Sequence, residues 1–490
     1  MTLRRRLIRW LAYLAAFAAG VLATIVLGFA VQARLRLPEL HAWHRGTLEQ
    51  EFRADRADAP ASFTEYLALE KRLFVEMQRQ VLDDSGAADT GRFGRYNPRS
   101  VVARLALETT YNRSYELAPA GETRGAVLLV HGLSDSPYSV RALAETFHAQ
   151  GYYVLALRLP GHGTLPAALV DVSWEDWYGA VVLAARHAAA KAGPGKPFVA
   201  GGHSTGAALL TLYSLRTLAD PALPRPQRLY LVSAAIGISP SAALTEVVAS
   251  LAVIPAFEKS RWLDVLPEYD PYKYNSFPVN AAKQIYRLTR ELQRTLDAET
   301  RSGRVAQLPR VIAFQSIVDS TITAGEVARG LLGRLPPRGH ELVVFDINRN
   351  ENLEGWIAPG PLEDLDRLRM AVGLPFRLTL IANRARDTRS VAAYTRAAGE
   401  REVVVENLPY QWPAGVFSVG HVSLPFPIDD PVYGLAPTDR QFNLGALAPK
   451  GESGALLVSP GTFERLRSNP FWGVIQAKVA AGEKPAGAAP

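Results

Sequence analysis

Lys196-Pro-Phe-Val-Ala-Gly-Gly-His-Ser204-Thr-Gly-Ala-Ala-Leu-Leu210 is the stretch on which the fold turns. A short apolar run, Phe198-Val199-Ala200, leads into Gly202-His203-Ser204-Thr205-Gly206, and a helix-forming run, Ala207 to Tyr213, leads out. Strand, sharp turn and helix in that order is the context in which G-x-S-x-G presents a nucleophilic serine. Glycines two residues either side of Ser204 let the backbone bend and leave room for a carbonyl to approach. The same turn aims the Thr205 backbone N–H at the place where an oxyanion would form. The plain alternative is a Gly-rich turn with an idle serine. The flanking strand and helix, and the partners found further along the chain, weigh against it.

Working outward, Ala126-Val127-Leu128-Leu129-Val130 is an unbroken apolar run ending at His131-Gly132-Leu133. Runs of this length, bounded by turn residues, suit strands buried on both faces of a parallel sheet. Tyr152 to Leu157, Leu229 to Val232, Arg310 to Ile317 and Glu341 to Asp346 repeat the pattern, and Leu378 to Ile381 and Val403 to Val405 read as short strands. Ser139 to Gln150 and Trp174 to Lys191 read as helices between them. The alternation predicts an α/β class with a mostly parallel, doubly wound sheet. Ligands of such sheets bind beyond the carboxyl ends of the strands. His131, His162 and Ser204 all follow strand ends.

The strand rhythm stops from Ser239 to about Leu308, where aromatics and prolines crowd Trp262 to Phe277 and Ala281 to Arg301 reads as a helix. An insertion at this point is where a substrate-covering cap would sit, with a peripheral helical excursion as the alternative. The expected divisions are therefore 1–36, 37–110, 111–475 with the insertion at about 239–308, and a flexible tail at 476–490.

At the N-terminus, Arg4, Arg5, Arg6 and Arg9 precede an uncharged run from Trp10 to Ala33, and Arg34 and Arg36 follow it. About 20 apolar residues span a bilayer core, which predicts an uncleaved single-pass anchor. A cleaved signal peptide with a site near Val31-Gln32-Ala33 is the alternative. The arginine bias would put the N-terminus in the cytoplasm and the catalytic domain on the outer face, the periplasmic one in a bacterium. Ser62-Phe63-Thr64-Glu65 reads as a capping box opening a helix, and the segment 37–110 shows no catalytic constellation. Its expected role is to pack against the main domain or to space it from a membrane.

Composition narrows the chemistry. A net charge of +7 over 490 residues, without a basic stripe beyond the N-terminus, argues against nucleic acid as a partner. The absence of cysteine excludes disulfides, thiolate catalysis and Cys-ligated metal. No metal motif and no dinucleotide fingerprint is present, so no cofactor is expected.

A serine needs a base, and the base needs an orienting acid. In the order Ser, acid, His, the base lies last, which leaves His340 and His421 among nine histidines. His340 directly precedes a strand and belongs to the opposite sheet edge, so His421, after Phe417-Ser418-Val419-Gly420, is the candidate. Asp319 ends one buried strand and Asp346 the next. Asp319 suits the strand order better, with a plain helix-capping role as its alternative. Leu133, in the loop after the first catalytic-edge strand, is the candidate second oxyanion donor. His131 and His162 read as structural histidines supporting their loops.

With these residues placed, the chain resembles the α/β-hydrolase superfamily, closest to its bacterial carboxylesterase and monoacylglycerol-lipase-like group. The resemblance rests on Leu129-Val130-His131-Gly132-Leu133, Arg158 to Thr164, Gly202 to Gly206, Val318-Asp319 and Gly420-His421. It implies a Ser204–His421–Asp319 triad with Leu133 and Thr205 as oxyanion donors, a cap over Ser239 to Leu308, and an acyl ester, small or lipid-like, as substrate. The gap of 102 residues from Asp319 to His421 exceeds the usual strand, helix and loop. It keeps Asp346 open as the acid and predicts a further insertion between about Asn348 and Pro409. Hydrolysis of an amide, peptide or thioester on the same scaffold, or a non-catalytic binding role, are the competing readings.

Overall fold

The computed structural model describes residues 2–36, 38–83, 91–237, 255–319, 321–352, 354–357, 359–438, 442–445 and 464–482. Its centre is a ten-stranded sheet. In chain order the strands are β1 (Tyr115–Leu117), β2 (Gly125–Val130), β3 (Tyr152–Leu157), β4 (Phe198–His203) and β5 (Arg228–Val232). A short pair, β6 (Trp262–Asp264) and β7 (Phe277–Pro278), stands apart. Then come β8 (Arg310–Ser316), β9 (Glu341–Phe345), β10 (Arg377–Asn383), β11 (Ser390–Arg396) and β12 (Val403–Gln411). The spatial order is β1-β3-β2-β4-β5-β8-β9-β10-β11-β12. The seven strands from β3 to β10 pair in parallel, whereas β1, β11 and β12 join antiparallel. The register of β2 against β4 sets Val130 opposite Gly202, so both strands end together at the functional edge.

The apolar runs explain the layering. All six residues of β2 are buried, and they alternate between two cores: Ala126, Leu128 and Val130 in one, Val127 and Leu129 in the other. A strand covered on both faces has no reason to alternate polar and apolar residues. The described α-helices of seven residues or more are, in chain order, α1 (Thr2–Arg36), α2 (Phe63–Met77), α3 (Val101–Glu108), α4 (Arg141–Ala149), α5 (Trp174–Ala192), α6 (Thr205–Arg216), α7 (Val279–Arg301), α8 (Ala324–Gly330), α9 (Pro359–Met370) and α10 (Trp472–Gly482). Trp177 of α5, Leu209 of α6 and Leu292 of α7 belong to the first core; Phe147 of α4 and Val479 of α10 belong to the second.

The long gap before His421 is filled by α9, β10, β11 and β12. A helix and an antiparallel hairpin therefore extend the sheet where the sequence required extra chain. The outer strand β12 is exposed at Val403, Val404 and Val405. Of the stretch 239–308, residues 239–254 lie outside the described residues, and the remainder forms a 3₁₀ turn at Pro255–Arg261, the β6–β7 pair and α7. Within 476–490, read as a tail, the helix α10 continues to Gly482, and 483–490 lie outside the described residues.

The N-terminal expectation requires correction. Thr2–Arg36 is one helix with Trp10, Leu11, Phe17 and Leu27 exposed along it. Among the described residues, however, no helix is long and apolar enough to cross a membrane. The arginines at both ends are part of the helix itself. The single-pass anchor, and the outer placement of the catalytic domain that rested on it, therefore lose their support.

The segment after it is bound into the main domain. Ser62 Oγ accepts from Glu65 N at 3.2 Å, but the Glu65 carboxylate reaches Ala61 N, one residue short of a reciprocal capping box. From this segment, Glu51 and Glu70 both pair with the fully buried guanidinium of Arg158, at 3.0 and 2.9 Å. Tyr66 Oη donates to Arg158 O, Tyr96 Oη to Thr164 O, and Arg95 to Gly163 O. Residues upstream of the sheet thus hold both ends of the loop Arg158–Thr164, while Trp177 and Tyr274 bond its middle at Pro160 O and Gly161 O.

Candidate active site

β4 ends at His203 and α6 begins at Thr205, so a single residue makes the turn. Ser204 has φ 52° and ψ −112°, a conformation that costs a non-glycine residue roughly 1–3 kcal/mol. The neighbours make it possible. A Cβ at Gly202 would meet Ala207 N at 2.6 Å, and one at Gly206 would run into the carbonyl of Val130. Ser204 N–H donates to Val232 O at 2.9 Å, tying the turn to β5.

His421 follows β13 (Val416–Val419), which pairs with β14 (Glu464–Leu466). The turn after it is set by Gly420 N–H donating to Ser423 Oγ at 2.7 Å. His421 Nε2 lies 3.2 Å from Ser204 Oγ, and Nδ1 lies 2.7 Å from Asp319 Oδ2. A carboxylate only accepts, so Nδ1 carries the proton and Nε2 offers its lone pair to the serine hydroxyl. The amides of Thr321 and Ile322 donate to Asp319 Oδ1 at 2.9 and 2.8 Å, and Gln315 Nε2 donates to Oδ2 at 2.8 Å. The nearby helix α8 is capped by Thr323, not by Asp319.

The other candidates go elsewhere. Asp346 accepts from Arg349 at 2.8 Å and faces Arg369 at 3.4 Å, away from His421. His340 sits at the start of β9, where its Nδ1 accepts from Val311 N. His131 supports a loop: Nε2 accepts from Leu159 N at 3.0 Å and Nδ1–H donates to Gly132 O at 2.8 Å. His162 likewise donates to Pro160 O.

Leu133 and Thr205 flank the serine. Thr205 is the first residue of α6, so its N–H belongs to the helix's unpaired first turn. The Leu133 loop is close by, since a Cβ at Gly132 would come 3.2 Å from Ser204 Cβ.

Electrostatics separates His421 from its neighbours. Burial opposes charging every one of these rings. It pushes His131 down to about 4, and it lowers His162 and His203 as well. His421 is just as buried, yet Asp319's charge and hydrogen bond outweigh the burial and raise its pKa above 6.5. A buried histidine with its own carboxylate is therefore the one ring of the group primed to receive a proton.

One cluster escaped the sequence reading. His203 Nδ1 lies 3.2 Å from Asp135 Oδ2, and Lys273 Nζ lies 2.5 Å from Asp135 Oδ1. His203 was visible as the variable residue of the elbow, and Asp135 lies three residues past Gly132, but nothing local pointed to Lys273. A pocket is walled by Asp135, Lys273, Tyr274 and Tyr433 together with His203 and Val422, the chain neighbours of Ser204 and His421. Among the described residues, no group of three His, Asp or Glu side chains is placed to hold a metal.

Comparison with known proteins agrees with the sheet and the elbow. Residues 121–301 match the family described as serine aminopeptidase, S33. Together with the sheet order, this supports an α/β-hydrolase fold for the main domain. Within that class it is similar to monoacylglycerol lipases. A 55-residue stretch is 44% identical to the thermostable monoacylglycerol lipase of Bacillus sp. (strain H-257), spanning 11% of this chain and 22% of that relative's length. Among solved structures, one from a study of two metagenome-derived lipolytic enzymes is 25% identical, covering 48% of this chain and 86% of that one with a TM-score of 0.37. The monoacylglycerol lipase of Paleococcus ferrophilus is 20% identical, covering 48% and 88% with a TM-score of 0.35.

Proposed function

We propose that this protein is a serine hydrolase that cleaves carboxylic acyl esters, lipid-like ones included, through an acyl-enzyme on Ser204. The observation that carries the reading is the position of His421, within hydrogen-bond reach of Ser204 Oγ on one side and Asp319 on the other. As Ser204 Oγ attacks the ester carbon, its proton passes to His421 Nε2, and the carbonyl oxygen becomes an oxyanion between the N–H groups of Leu133 and Thr205. Collapse breaks the bond to the alcohol, which leaves with the proton from His421. A water then gives its proton to His421 and attacks the acyl carbon, and Ser204 Oγ leaves with that proton from His421 as the free acid forms. Asp319 stays ionised throughout, holding the imidazole tautomer and facing the imidazolium.

Ser204→Ala is expected to abolish turnover of p-nitrophenyl esters and labelling by a fluorophosphonate probe, a loss on the order of 10⁶ in turnover, with the circular dichroism unchanged. His421→Ala should come close to it, and the double variant should be little worse than either. A folded Ser204→Ala protein with near-normal turnover sinks the reading and returns the protein to a binding role. An acyl-chain-length series on the native protein then locates the preferred ester.

The match to a family described as serine aminopeptidase favours one second reading, peptide or amide hydrolysis at the same serine. Aminoacyl anilides compared with esters of the same acid separate the two. A higher kcat/KM on the anilide decides for the peptidase.

A further inference from the structure

The segment between β6 and β7 grips the loop that follows β2 at three consecutive residues. The Tyr272 ring stacks on Tyr138 with centroids 4.0 Å apart. Lys273 Nζ donates to Asp135 Oδ1 at 2.5 Å, and Tyr274 N–H donates to Ser134 O at 2.8 Å. Ser134 has φ 61°, unusual for a residue with a side chain, so the loop needs outside support to keep its shape. The clamp then reaches inward. The other oxygen of Asp135 accepts from His203 Nδ1–H, and His203 Nε2 lies 3.4 Å from the carbonyl oxygen of His421. Asp135 and His203 are buried, and three-quarters of the Lys273 side chain is covered.

We propose that Lys273 is a positioning residue for the hydrolase reaction: through Asp135 it holds the Leu133 loop and the His203 ring where the oxyanion and the base require them. The inference rests on the acyl-ester reading above. Its physical basis is proximity. Gly132 stands so close to Ser204 that a loop shift of a fraction of an ångström re-aims the Leu133 N–H, and oriented donors lose their worth with small displacements. A lysine holds an internal carboxylate better than a neutral residue would, because a buried carboxylate without its cation draws water or a proton instead.

The arrangement also has an electrostatic signature. The charged and titratable groups facing His421 are Asp319, Lys273, Asp135 and the neighbouring His203 ring. Lys273 disfavours the His421 imidazolium and Asp135 favours it. Removing them should therefore move the acid limb of the pH profile in opposite directions. A residue that merely stabilises the fold does not do this.

The test measures kcat, KM and the acid limb of kcat/KM on a short p-nitrophenyl ester for the native chain, Lys273→Met, Lys273→Arg, Asp135→Asn and the double variant Lys273→Met/Asp135→Asn. Thermal melts serve as folding controls. Lys273→Met is expected to lower kcat by about tenfold to a hundredfold with KM nearly unchanged, and Lys273→Arg to recover most of it. The limb should rise in Lys273→Met and fall in Asp135→Asn, and the double variant should lose less than the sum of the singles. Normal kcat in Lys273→Met, or limbs that move together, overturns the proposal. If Lys273→Met does not fold, Asp135→Asn, which keeps an acceptor for the lysine, decides by the direction of its limb. A native chain without ester turnover or fluorophosphonate labelling overturns the acyl-ester reading itself. An active native chain with a normal Lys273→Met overturns only the role assigned to Lys273.

Discussion

The carboxyl ends of β8 and β9 carry the same residue in the same setting. Asp319 follows one buried strand and Asp346 the next, and each is about 1% exposed. Their surroundings differ in kind. Asp319 is fed by neutral donors, two backbone amides and Gln315, and its strongest remaining direction is turned to His421. Asp346 is saturated by cations from Arg349 and Arg369. A carboxylate satisfied by arginines has little left for an imidazolium, whereas one held by amides keeps its full charge available. Address within the sheet thus nominates two acids, and the donors around them choose one.

The sharpest way to break this contrast is to neutralise each acid in turn. Asp319→Asn should reduce turnover by about 10⁴-fold, because the amide can hold the wrong imidazole tautomer, while Asp346→Asn should leave kcat within a few-fold of native. Steady-state ester kinetics on both folded variants decides, and a crippled Asp346→Asn beside an active Asp319→Asn reverses the assignment. Next in size, Gln315→Leu removes one neutral donor from Asp319 and should cost about tenfold in kcat. Unchanged turnover there means that the two amides alone suffice to hold the acid.

Stability should rank the pair the other way. Asp346→Asn leaves Arg349 with only Glu354, at 3.4 Å, and should lower stability by about 1–3 kcal/mol, the low end reflecting that remaining partner and the partial exposure of Arg369. Chemical denaturation measures it. An Asp346→Asn protein as stable as the native one removes the structural role of that carboxylate as an anchor for the two arginines.

The smallest effect is in pH. His421 must be neutral to act as base, and its pKa is raised above 6.5, so kcat/KM should fall off on an acid limb lying above 6.5. In Asp319→Asn, burial is opposed only by the more distant Asp135, and the residual activity should show its limb shifted downward. The same raised value means that His421 contributes stability fully below its unfolded pKa, and that this contribution is lost as pH rises through the folded one. A limb in Asp319→Asn that stays where the native limb lies would disconnect Asp319 from His421.

Local patterns make much of this legible from the chain alone. The elbow, the strand ends and the late histidine are each short-range features, and the structure brings Ser204, His421 and Asp319 to one edge. Strand order favours Asp319 over Asp346, but the physical ground for the choice is not legible, because the donors that separate them come from a turn, a glutamine and two arginines with no motif of their own. Lys273 and Asp135 lie 138 residues apart, and no periodicity connects them. The 102-residue gap announces extra chain but not that it forms a helix and an antiparallel hairpin on the sheet. The anchor expected from the N-terminal run is not supported, since among the described residues no helix is long and apolar enough to cross a membrane.

The guanidinium of Arg158 imposes an order of events during synthesis. Its partner Glu51 precedes it by 107 residues and Glu70 by 88. At ordinary elongation rates the arginine leaves the ribosome roughly 5–20 s after Glu51. For that interval both carboxylates must remain in water, since neither can be desolvated without its cation. The first part of the chain to be made is therefore obliged to wait for the middle of it, and a ribosome stalled between Glu70 and Arg158 should hold an N-terminal segment still open to proteases.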